Sequence, residues 1–469
     1  MVVSRRALYD TLTPIALYDK LRLFFGGKRV LLFESGLSGE NGNFSIVAVG
    51  ARERVWREND KTFYAENGAV SQIDDNPLAF LKKRFASINK ASYKEEQEKL
   101  GIGFIDGFTG FIGYDAVRFF EPTLRKSMDN LADATNTPEF DLSRPEYLFV
   151  YSHKSGTLTA LSSLRGGDEV LREALKVAKS PMDPLPLVRA EKLGEGTFQF
   201  SKEEFMRKVE LVKEEIRSGE IFQMLLANRF IQPSKIDPFS YYRVLRSKNP
   251  SPYQFLLPYE KFAIVGSSPE LMARLNGDEI LLRPIAGTRR RGRTIAQDLA
   301  MEKELLSDEK ERAEHIMLVD LGRNDVGRVA KPGSARVSNL MHIERFSHVM
   351  HIVSDVTARL DEGRDMFDLF MSAFSAGTMT GAPKIRAMEL IAKYEGAKRG
   401  FYSGAIVLFG FSGDMDSAIT IRSAQIDENR AIFHAGGGIV ADSKPELEWL
   451  EAQNKMAALR VSFDELLSV

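Results

Sequence analysis

Two pairs of glutamates, each on a predicted helix, are the residues of this sequence best suited to chemistry. Glu448 and Glu451 lie three residues apart and Lys455 follows four residues later, so the three side chains share one helical face. Glu311 and Glu314 repeat this spacing in DEKERAEHIMLVDL, where the second glutamate borders an apolar run. Two such pairs could hold one Mg²⁺ together with water and substrate oxygens. The alternative is that both pairs belong to solvated, charged helix faces.

Three consecutive glycines, Gly436, Gly437 and Gly438, precede the pair Glu448 and Glu451. We expect them just after a strand, where glycine permits positive φ and lets a ligand approach backbone N–H groups. Such amides would suit an anion. A tight turn before a charged surface helix is the alternative.

Several isolated polar residues stand in apolar surroundings. His351 lies on a predicted strand, and Arg422 lies in a predicted strand that otherwise reads as buried. A buried arginine needs a carboxylate, which a substrate could supply. The stretch FSAGTMTGAPKIRAMELI places threonine hydroxyls before Pro383, a suitable first helical residue, and so offers an anion site. For His351, Arg422 and Tyr402 the alternative is a satisfied core residue.

The stretch RPIAGTRRRGRT, residues 283–294, contains five arginines. Nucleic-acid contact is one interpretation, but the patch is short, lacks interleaved aromatic residues and lies in a chain of net charge -1. We expect a tight loop whose arginines pair with the acidic helix that follows.

The elements that must position these residues suggest an α+β protein. Ser201 and Glu204 form a predicted capping box. Helices are predicted over 296–321, 366–373 and 383–394, and strands over 405–411, 417–425 and 431–434. Residues before about 190 read as short strands with few helices. Because strands and helices are grouped, large antiparallel sheets are favoured over a doubly wound parallel sheet. The proline-rich stretch KSPMDPLPLV suggests a division into regions 1–190 and 191–469.

The composition excludes several classes of function. The chain has 469 residues and no cysteine, so disulfides, thiolate metal sites and cysteine nucleophiles are absent. A chain without cysteine fits a cytoplasmic location. No stretch approaches the roughly 18 apolar residues of a membrane span, and the N-terminal stretch lacks the apolar segment of a signal peptide.

Ten stretches, in order within residues 201–460, resemble the chorismate-utilising enzymes and, among them, the large subunit (component I) of anthranilate synthase. They are SGEIFQ, NPSPYQFLL, GSSPE, RPIAGTR, EHIMLVDLGRNDVGRVAKPG, FSHVMHIVS, SAGTMTGAPKIRAMELI, GFYSGAI, AITIRSA and HAGGGIVADSKPELEWLEAQNK. The N-terminal half matches more loosely through LLFESG and GFTGFIGYD. The resemblance implies two large antiparallel β-sheets packed as a sandwich with flanking helices. It also implies that chorismate and ammonia are converted to anthranilate and pyruvate.

The resemblance assigns roles to the residues singled out above. It implies Mg²⁺ on Glu314 and Glu451, with Glu311 and Glu448 behind them on the metal or its waters. Glu270 matches the general acid, and His351 the residue needed for pyruvate elimination. The implied substrate pocket also contains Thr378, Ala286, Gly287, Thr288, Tyr402, Arg422, Gly436, Gly437, Gly438 and Lys455.

Two positions bear on the product. Isochorismate- and salicylate-forming relatives carry a water-activating lysine where this chain has Gln223. Aminodeoxychorismate synthases often carry a lysine nucleophile where this chain has Ala286. Both residues favour anthranilate, while an aminodeoxychorismate synthase component I of folate biosynthesis is the alternative. A catalytically inactive subunit of the same fold and a nucleic-acid binder are the rivals from other classes.

The resemblance also implies partners. Without cysteine the chain cannot release ammonia from glutamine in the usual way, so we expect a separate glutamine amidotransferase (glutaminase) subunit. Tryptophan, as feedback inhibitor, would bind between two segments, represented here by Glu34, Ser35, Pro252 and Tyr253. Phe33 and Gln254 depart from the family pattern. Four alternatives follow for these segments: an intact inhibitor site, a weakened inhibitor site, a pocket for a structural tryptophan, or a connection that binds no ligand.

Overall fold

Strands make up most of the framework. The computed structural model describes residues 2–35, 44–74, 76–346 and 349–469. The strands of these residues are β1 (Val3–Leu8), β2 (Val30–Glu34), β3 (Phe44–Val49), β4 (Glu53–Glu58), β5 (Lys61–Glu66), β6 (Ala69–Ile73), β7 (Gly107–Ile112), β8 (Phe140–Arg144), β9 (Tyr147–Ser152), β10 (Thr157–Ser162), β11 (Glu191–Lys192), β12 (Thr197–Phe198), β13 (Gln223–Lys235), β14 (Tyr253–Pro258), β15 (Phe262–Ser268), β16 (Leu271–Asn276), β17 (Glu279–Leu282), β18 (Ile285–Arg290), β19 (Arg336–Arg345), β20 (Val349–Arg359), β21 (Gly381–Ala382), β22 (Ala405–Gly410), β23 (Met415–Ile419), β24 (Ser423–Asp427) and β25 (Arg430–Ile439).

The helices of the same residues are distributed along the whole chain. They are α1 (Pro14–Phe24), α2 (Pro77–Ala86), α3 (Lys90–Leu100), α4 (Val117–Phe120), α5 (Arg125–Met128), α6 (Asp168–Lys179), α7 (Lys202–Arg217), α8 (Pro238–Lys248), α9 (Ile295–Ser307), α10 (Glu309–Gly327), α11 (Met366–Ala373), α12 (Lys384–Glu395) and α13 (Pro445–Leu467). No helix in the described ranges is long and apolar enough to cross a membrane.

The strands form two large antiparallel sheets, which confirms the predicted fold class. The first sheet has the order β1-β10-β9-β3-β2-β14-β15-β24-β25-β13-β11, with β12 and β21 also paired to β13. The second has the order β18-β20-β17-β16-β23-β22-β7-β8-β4-β5-β6, with β19 paired to β20. Each sheet takes strands from both sides of residue 190, since β2 pairs with β14 and β7 pairs with β22.

The first sheet buries both of its faces. Along β9, Leu148 and Val150 join the apolar cluster that also contains residues of the second sheet. The alternate residues Tyr147, Phe149 and Tyr151 join a separate cluster built with α1, α6, α8 and α13. This two-residue alternation places helices on one side of the sheet and the second sheet on the other.

Several local predictions are confirmed and others are wrong. The capping box of Ser201 and Glu204 forms at the start of α7, and α11 has the predicted bounds. The predicted helix over 296–321 is two helices, because the Asp308 side chain accepts backbone N–H groups and begins α10. The helix predicted from 383 begins at Lys384, with Pro383 as its N-cap.

The prediction of few helices before residue 190 is also wrong, since α1 to α6 lie there. Two of these helices have a signal that the sequence displays. Thr13 caps α1 before Pro14, and Asn76 caps α2 before Pro77. A capping side chain followed by proline is a typical helix start.

Candidate active site

The two predicted glutamate pairs lie on α10 and α13. Glu314, Glu448 and Glu451 face the glycines of β25, whereas Glu311 lies beside Gly287 of β18. A β-carbon placed on Gly437 would lie 2.9 Å from Glu448 Oε2 and 3.5 Å from Glu451 Oε1. One placed on Gly438 would lie 3.6 Å from Glu314 Oε1. Because these glycines have no side chains, carboxylates from both helices can lie directly over the backbone of β25.

These glycines lie inside β25 and not after a strand, which corrects the sequence-based expectation. Pairing with β13 continues through Gly436 to Gly438, but β24 pairs with β25 only as far as Phe433. Beyond that residue the second edge of β25 has no strand partner among the described residues. Backbone groups on this edge are therefore available to a ligand, as the glycine run suggested.

Negative charge is concentrated between the two helices. Burial, together with the carboxylates of Glu311 and Glu451, raises the pKa of Glu314 to about 7, against the opposing effects of Lys455 and Lys310. Burial also raises the pKa of Glu448, with Glu451 adding to the effect. The Oε2 atom of Glu448 is buried and has no hydrogen-bond partner in the described structure. Such a group of carboxylates needs a cation.

Two of the four carboxylates already have cationic partners. Lys455 Nζ lies 2.6 Å from Glu451 Oε1, and Arg289 Nη1 donates to Glu311 Oε1 at 3.0 Å. Across the described ranges, no three His, Asp or Glu side chains are arranged to hold a metal ion. Mg²⁺ commonly uses only one or two protein carboxylates and completes its shell with water and substrate. The orphaned buried oxygen and the carboxylate donors fit that cation.

Glu270 lies at the junction of β15 and β16 and is 7% exposed. Thr378 Oγ1 donates a hydrogen bond to Glu270 Oε1 at 2.7 Å. Burial raises the pKa of Glu270 to about 7, against the opposing effects of Thr378, Lys455 and Arg422. The carboxyl is therefore half protonated near neutral pH and can act as a general acid.

His351 on β20 is held in one tautomer by β18. Its Nδ1 lies 3.0 Å from the carbonyl oxygen of Gly287 and 3.0 Å from Thr288 Oγ1. Gly287 has a φ of 64° at a β-bulge between Ala286 and Thr288, and this conformation suits glycine. Because the carbonyl can only accept, Nδ1 carries the proton and Nε2 keeps its lone pair.

The environment of His351 keeps the ring neutral. Burial, together with the positive charges of Arg422 and Lys455, lowers the pKa of His351 to about 4. The Gly287 carbonyl acts in the opposite direction. A neutral imidazole whose Nε2 makes no hydrogen bond within the described residues can accept a proton at neutral pH.

Arg422 connects β23 and β24, and its φ of 49° is unusual for a residue other than glycine. The predicted continuous strand over 417–425 is wrong because the chain bends here. No carboxylate of the described residues forms an ion pair with Arg422, which donates to the carbonyl oxygen of Lys455 at 3.3 Å. Burial lowers its pKa, partly offset by Tyr402, Glu451 and Glu270. The guanidinium is thus placed to receive an anion.

Gln223 and Tyr402 complete the pocket. Gln223 Nε2 lies 3.4 Å from Glu314 Oε1, and a β-carbon on Gly438 would lie 2.2 Å from the same nitrogen. Tyr402 is 3% exposed, and its ring stacks on His434 with centroids 5.1 Å apart. The structure therefore groups the predicted catalytic, substrate-binding and metal-binding residues around one site.

Two supporting features were missed from the sequence. Arg399 is fully buried and bonds Glu395 Oε1 at 2.6 Å and the Met379 carbonyl oxygen at 2.7 Å, one residue after Thr378. Helical spacing gave no signal for this pair, because α12 ends at Glu395 and Arg399 lies beyond its C-cap. His434 was also missed, although it directly precedes the conspicuous glycine stretch.

The arginine-rich stretch is largely paired with carboxylates. Arg283 contacts Glu344 and Asp355, Arg289 contacts Glu304, Asp308 and Glu311, and Arg291 contacts Asp298. The partners of Arg283 lie on β19 and β20, whereas the pairing of Arg289 and Arg291 with residues of α9 and α10 agrees with the prediction. The predicted tight loop is wrong, because residues 285–290 form the strand β18. Arginines already committed to carboxylates offer little to a nucleic-acid backbone.

The predicted tryptophan-binding residues line a cavity of about 430 Å³ between the two sheets. Its lining includes Phe33, Glu34, Ser35, Pro252, Tyr253 and Gln254. The Glu34 carboxylate bonds Arg246 and also accepts from Tyr242 Oη at 3.2 Å. Tyr253 Oη donates to Asp416 Oδ1 at 3.2 Å. The cavity is apolar with charged groups at its wall, which suits an amphipathic ligand.

The chain belongs to the chorismate binding enzyme family, whose model matches residues 29–461. Its relatives narrow the comparison. It is 40% identical to anthranilate synthase component 1 of Aquifex aeolicus, over 96% of this chain and 92% of that protein. It is 39% identical to the protein of the same name from Acetivibrio thermocellus, over 99% and 95% of the two chains.

Solved structures show the same fold. Anthranilate synthase component I from Streptococcus pneumoniae superposes with a TM-score of 0.77 at 32% identity, covering 90% of this chain and 94% of that one. The menaquinone-specific isochorismate synthase of Escherichia coli gives a TM-score of 0.74 at 18% identity, covering 99% and 95%. The second likeness concerns the fold alone.

Proposed function

We propose that this chain is the large subunit of anthranilate synthase, converting chorismate and ammonia to anthranilate and pyruvate for tryptophan biosynthesis. The full-length relatives named anthranilate synthase component 1 support this assignment. The observation that carries it is the arrangement of a buried Glu270 bonded to Thr378, a His351 bonded to the Gly287 carbonyl, and an Arg422 that forms no ion pair within the described residues. A cytoplasmic location is part of the proposal, because a chain without cysteine needs no oxidising compartment.

Substrate binding would use the cations and backbone groups of the pocket. Arg422 and Lys455 would receive carboxylate oxygens of chorismate, with Tyr402 and the open edge of Gly436 to Gly438 beside them. Because both cations lie close to Glu270 and His351, binding would also place the ring between acid and base.

Glu314 and Glu451 would hold Mg²⁺, with Glu311 and Glu448 behind them. When bound, the ion would neutralise and orient a substrate carboxylate. Glu311 and Glu451 repel the charge of Glu314, and Glu451 repels that of Glu448, which adds to the effect of burial on both pKa values.

The acid and the base would act in sequence. Ammonia forms a bond to ring C2 as the C4–O bond breaks, and Glu270 donates the proton that makes water the leaving group. His351 Nε2 then takes the proton from C2 as the C3–O bond breaks and the ring becomes aromatic. The departing enolpyruvate gains a proton at its methylene carbon and so becomes pyruvate. Gln223 is a poor base for water, and Ala286 cannot form a covalent adduct, so both residues favour the anthranilate product.

Two partners belong to the proposal. A glutaminase subunit would supply ammonia, since this chain has no cysteine for glutamine hydrolysis. Tryptophan would occupy the cavity between the sheets and act as feedback inhibitor. The candidate catalytic residues lie within 191–469, whereas the cavity also draws on region 1–190, which fits a catalytic and a regulatory region.

A product assay tests the proposal. The purified chain receives chorismate, MgCl₂ and excess ammonium salt without glutamine, and the products are separated by chromatography. We expect anthranilate and pyruvate in equal amounts, abolished by a chelator. An aminated chorismate without pyruvate would assign the chain to the folate branch and overturn the role given to Ala286.

A further inference from the structure

A buried histidine lies next to the glutamate that the metal site uses. His315 directly follows Glu314 on α10 and is 0% exposed. Its Nε2 lies 2.6 Å from Ser354 Oγ on β20, the strand that also carries His351. A side-chain hydrogen bond thus joins the helix of the carboxylates to the strand of the proposed base.

The Ser354 hydroxyl is a junction of three elements. It accepts a hydrogen bond from Met341 N–H of β19 at 2.9 Å, so its own hydrogen is available for His315 Nε2. Met341 has a φ of 53°, and the β19–β20 pairing shifts register between Asn339 and His342. The bulge therefore turns the Met341 amide toward the hydroxyl, which is 0% exposed.

We propose that His315 is a positioning residue that, through Ser354, fixes α10 so that Glu314 faces the glutamates of α13. The inference rests on the metal site of the proposed function. Adjacent helix residues point about 100° apart, so His315 can anchor the helix while Glu314 faces the pocket. A small rotation of α10 would separate Glu314 from Glu448 and Glu451 on the other helix.

The test compares two buried serines that each bond α10. Ser354→Ala removes the partner of His315, whereas Ser372→Ala removes a buried bond to the Asp325 carbonyl at the far end of the same helix. MgCl₂ is titrated calorimetrically into enzyme holding chorismate without an ammonia source. We expect Ser354→Ala to bind Mg²⁺ about tenfold more weakly, because losing a residue that orients a metal ligand typically lowers metal affinity by that factor. Ser372→Ala should change the Mg²⁺ affinity by less than about twofold.

A second pair of variants keeps the test valid if Ser354→Ala does not fold. His315→Gln can place an amide oxygen near the original Nε2, where it would accept the Ser354 hydroxyl hydrogen, and should bind Mg²⁺ nearly as well as wild type. His315→Leu has no acceptor and should bind Mg²⁺ more weakly. Amide hydrogen exchange, measured without Mg²⁺, should accelerate over 311–318 in His315→Leu and not in Ser372→Ala.

Two results would overturn the inference, and they are distinguishable. Equal Mg²⁺ affinity in wild type, Ser354→Ala and His315→Leu would remove the positioning role and leave the proposed function intact. Absence of Mg²⁺ binding in the wild type would remove the metal site itself and the inference with it.

Discussion

The hydroxyl of Thr378 donates to Glu270 Oε1 at 2.7 Å, and this bond favours the charged carboxylate. It therefore opposes the burial that raises the pKa of Glu270 to about 7. A general acid must be protonated to act, so the pKa of Glu270 sets the upper pH limit of the reaction, and the bond from Thr378 lowers that limit.

Thr378→Val should move that limit upward. Without the hydroxyl the pKa of Glu270 rises, by up to about one unit for one lost hydrogen bond, and the acid stays protonated to higher pH. The alkaline limb of the kcat/KM profile, which reports the free enzyme, should shift by the same amount. Thr380→Val is the matched control, because its buried hydroxyl bonds the Ala376 carbonyl. An unchanged limb in Thr378→Val would contradict the assignment of Glu270.

Glu314→Gln should stabilise the enzyme without Mg²⁺ above neutral pH. The folded-state pKa of Glu314 is about 7, above its ordinary value of 4.5. The protonated carboxyl therefore favours folding at low pH, and this contribution is lost as pH rises from about 4.5 through 7. Glutamine is neutral throughout, so Tm at pH 8 should exceed that of wild type by a few degrees.

Adding MgCl₂ should make wild type more stable than Glu314→Gln at pH 8. The cation stabilises wild type by binding the folded state, and the variant lacks the charged oxygen it needs. Thermal unfolding with and without MgCl₂ measures both effects. A variant that is less stable than wild type at pH 8 without Mg²⁺ would show that Glu314 is not under repulsion.

Arg422→Lys should weaken chorismate binding although the charge is retained. The planar guanidinium binds a carboxylate through two parallel bonds, which an ammonium cannot reproduce. We expect KM for chorismate to rise about tenfold or more in steady-state assays. Arg430→Lys is the comparison, because Arg430 pairs with Asp427 in the same hairpin. Equal KM values in both variants would exclude Arg422 as a substrate contact.

Tryptophan should inhibit by entering the cavity between the sheets. A larger side chain at its wall, as in Ser35→Phe, should fill part of the 430 Å³ space and abolish inhibition with kcat little changed. The measurement is activity against tryptophan concentration in both proteins. Inhibition that persists in Ser35→Phe would place the inhibitor elsewhere.

Side chains that do chemistry were easier to predict than the backbone that places them. The i, i+3 glutamates and the glycine run are visible in the sequence and converge in the structure. The bend at Arg422 was not visible, because a φ of 49° in a non-glycine residue depends on tertiary contacts. The tautomer of His351 depends on the Gly287 carbonyl of another strand, which periodicity alone does not reveal.

The prediction of one continuous helix over 296–321 was wrong for a local reason. A uniform helical pattern over 296–321 concealed Asp308, whose side chain begins a second helix and redirects Glu311 and Glu314 toward β18 and β25. Aspartate favours such N-cap positions, so the break had a signal that the apolar periodicity outweighed.

Glu270 is the proposed acid of the amination and His351 the proposed base of the elimination, and one experiment separates the two steps. Wild type, Glu270→Gln and His351→Ala receive chorismate, MgCl₂ and ammonium, and the products are followed over time by chromatography. His351→Ala should accumulate the aminated intermediate without stoichiometric pyruvate, since the acid still acts while the base is missing. Glu270→Gln should form neither intermediate nor anthranilate above about 1% of the wild-type rate. Rapid anthranilate formation by His351→Ala, or intermediate formed by Glu270→Gln, would contradict the assignment.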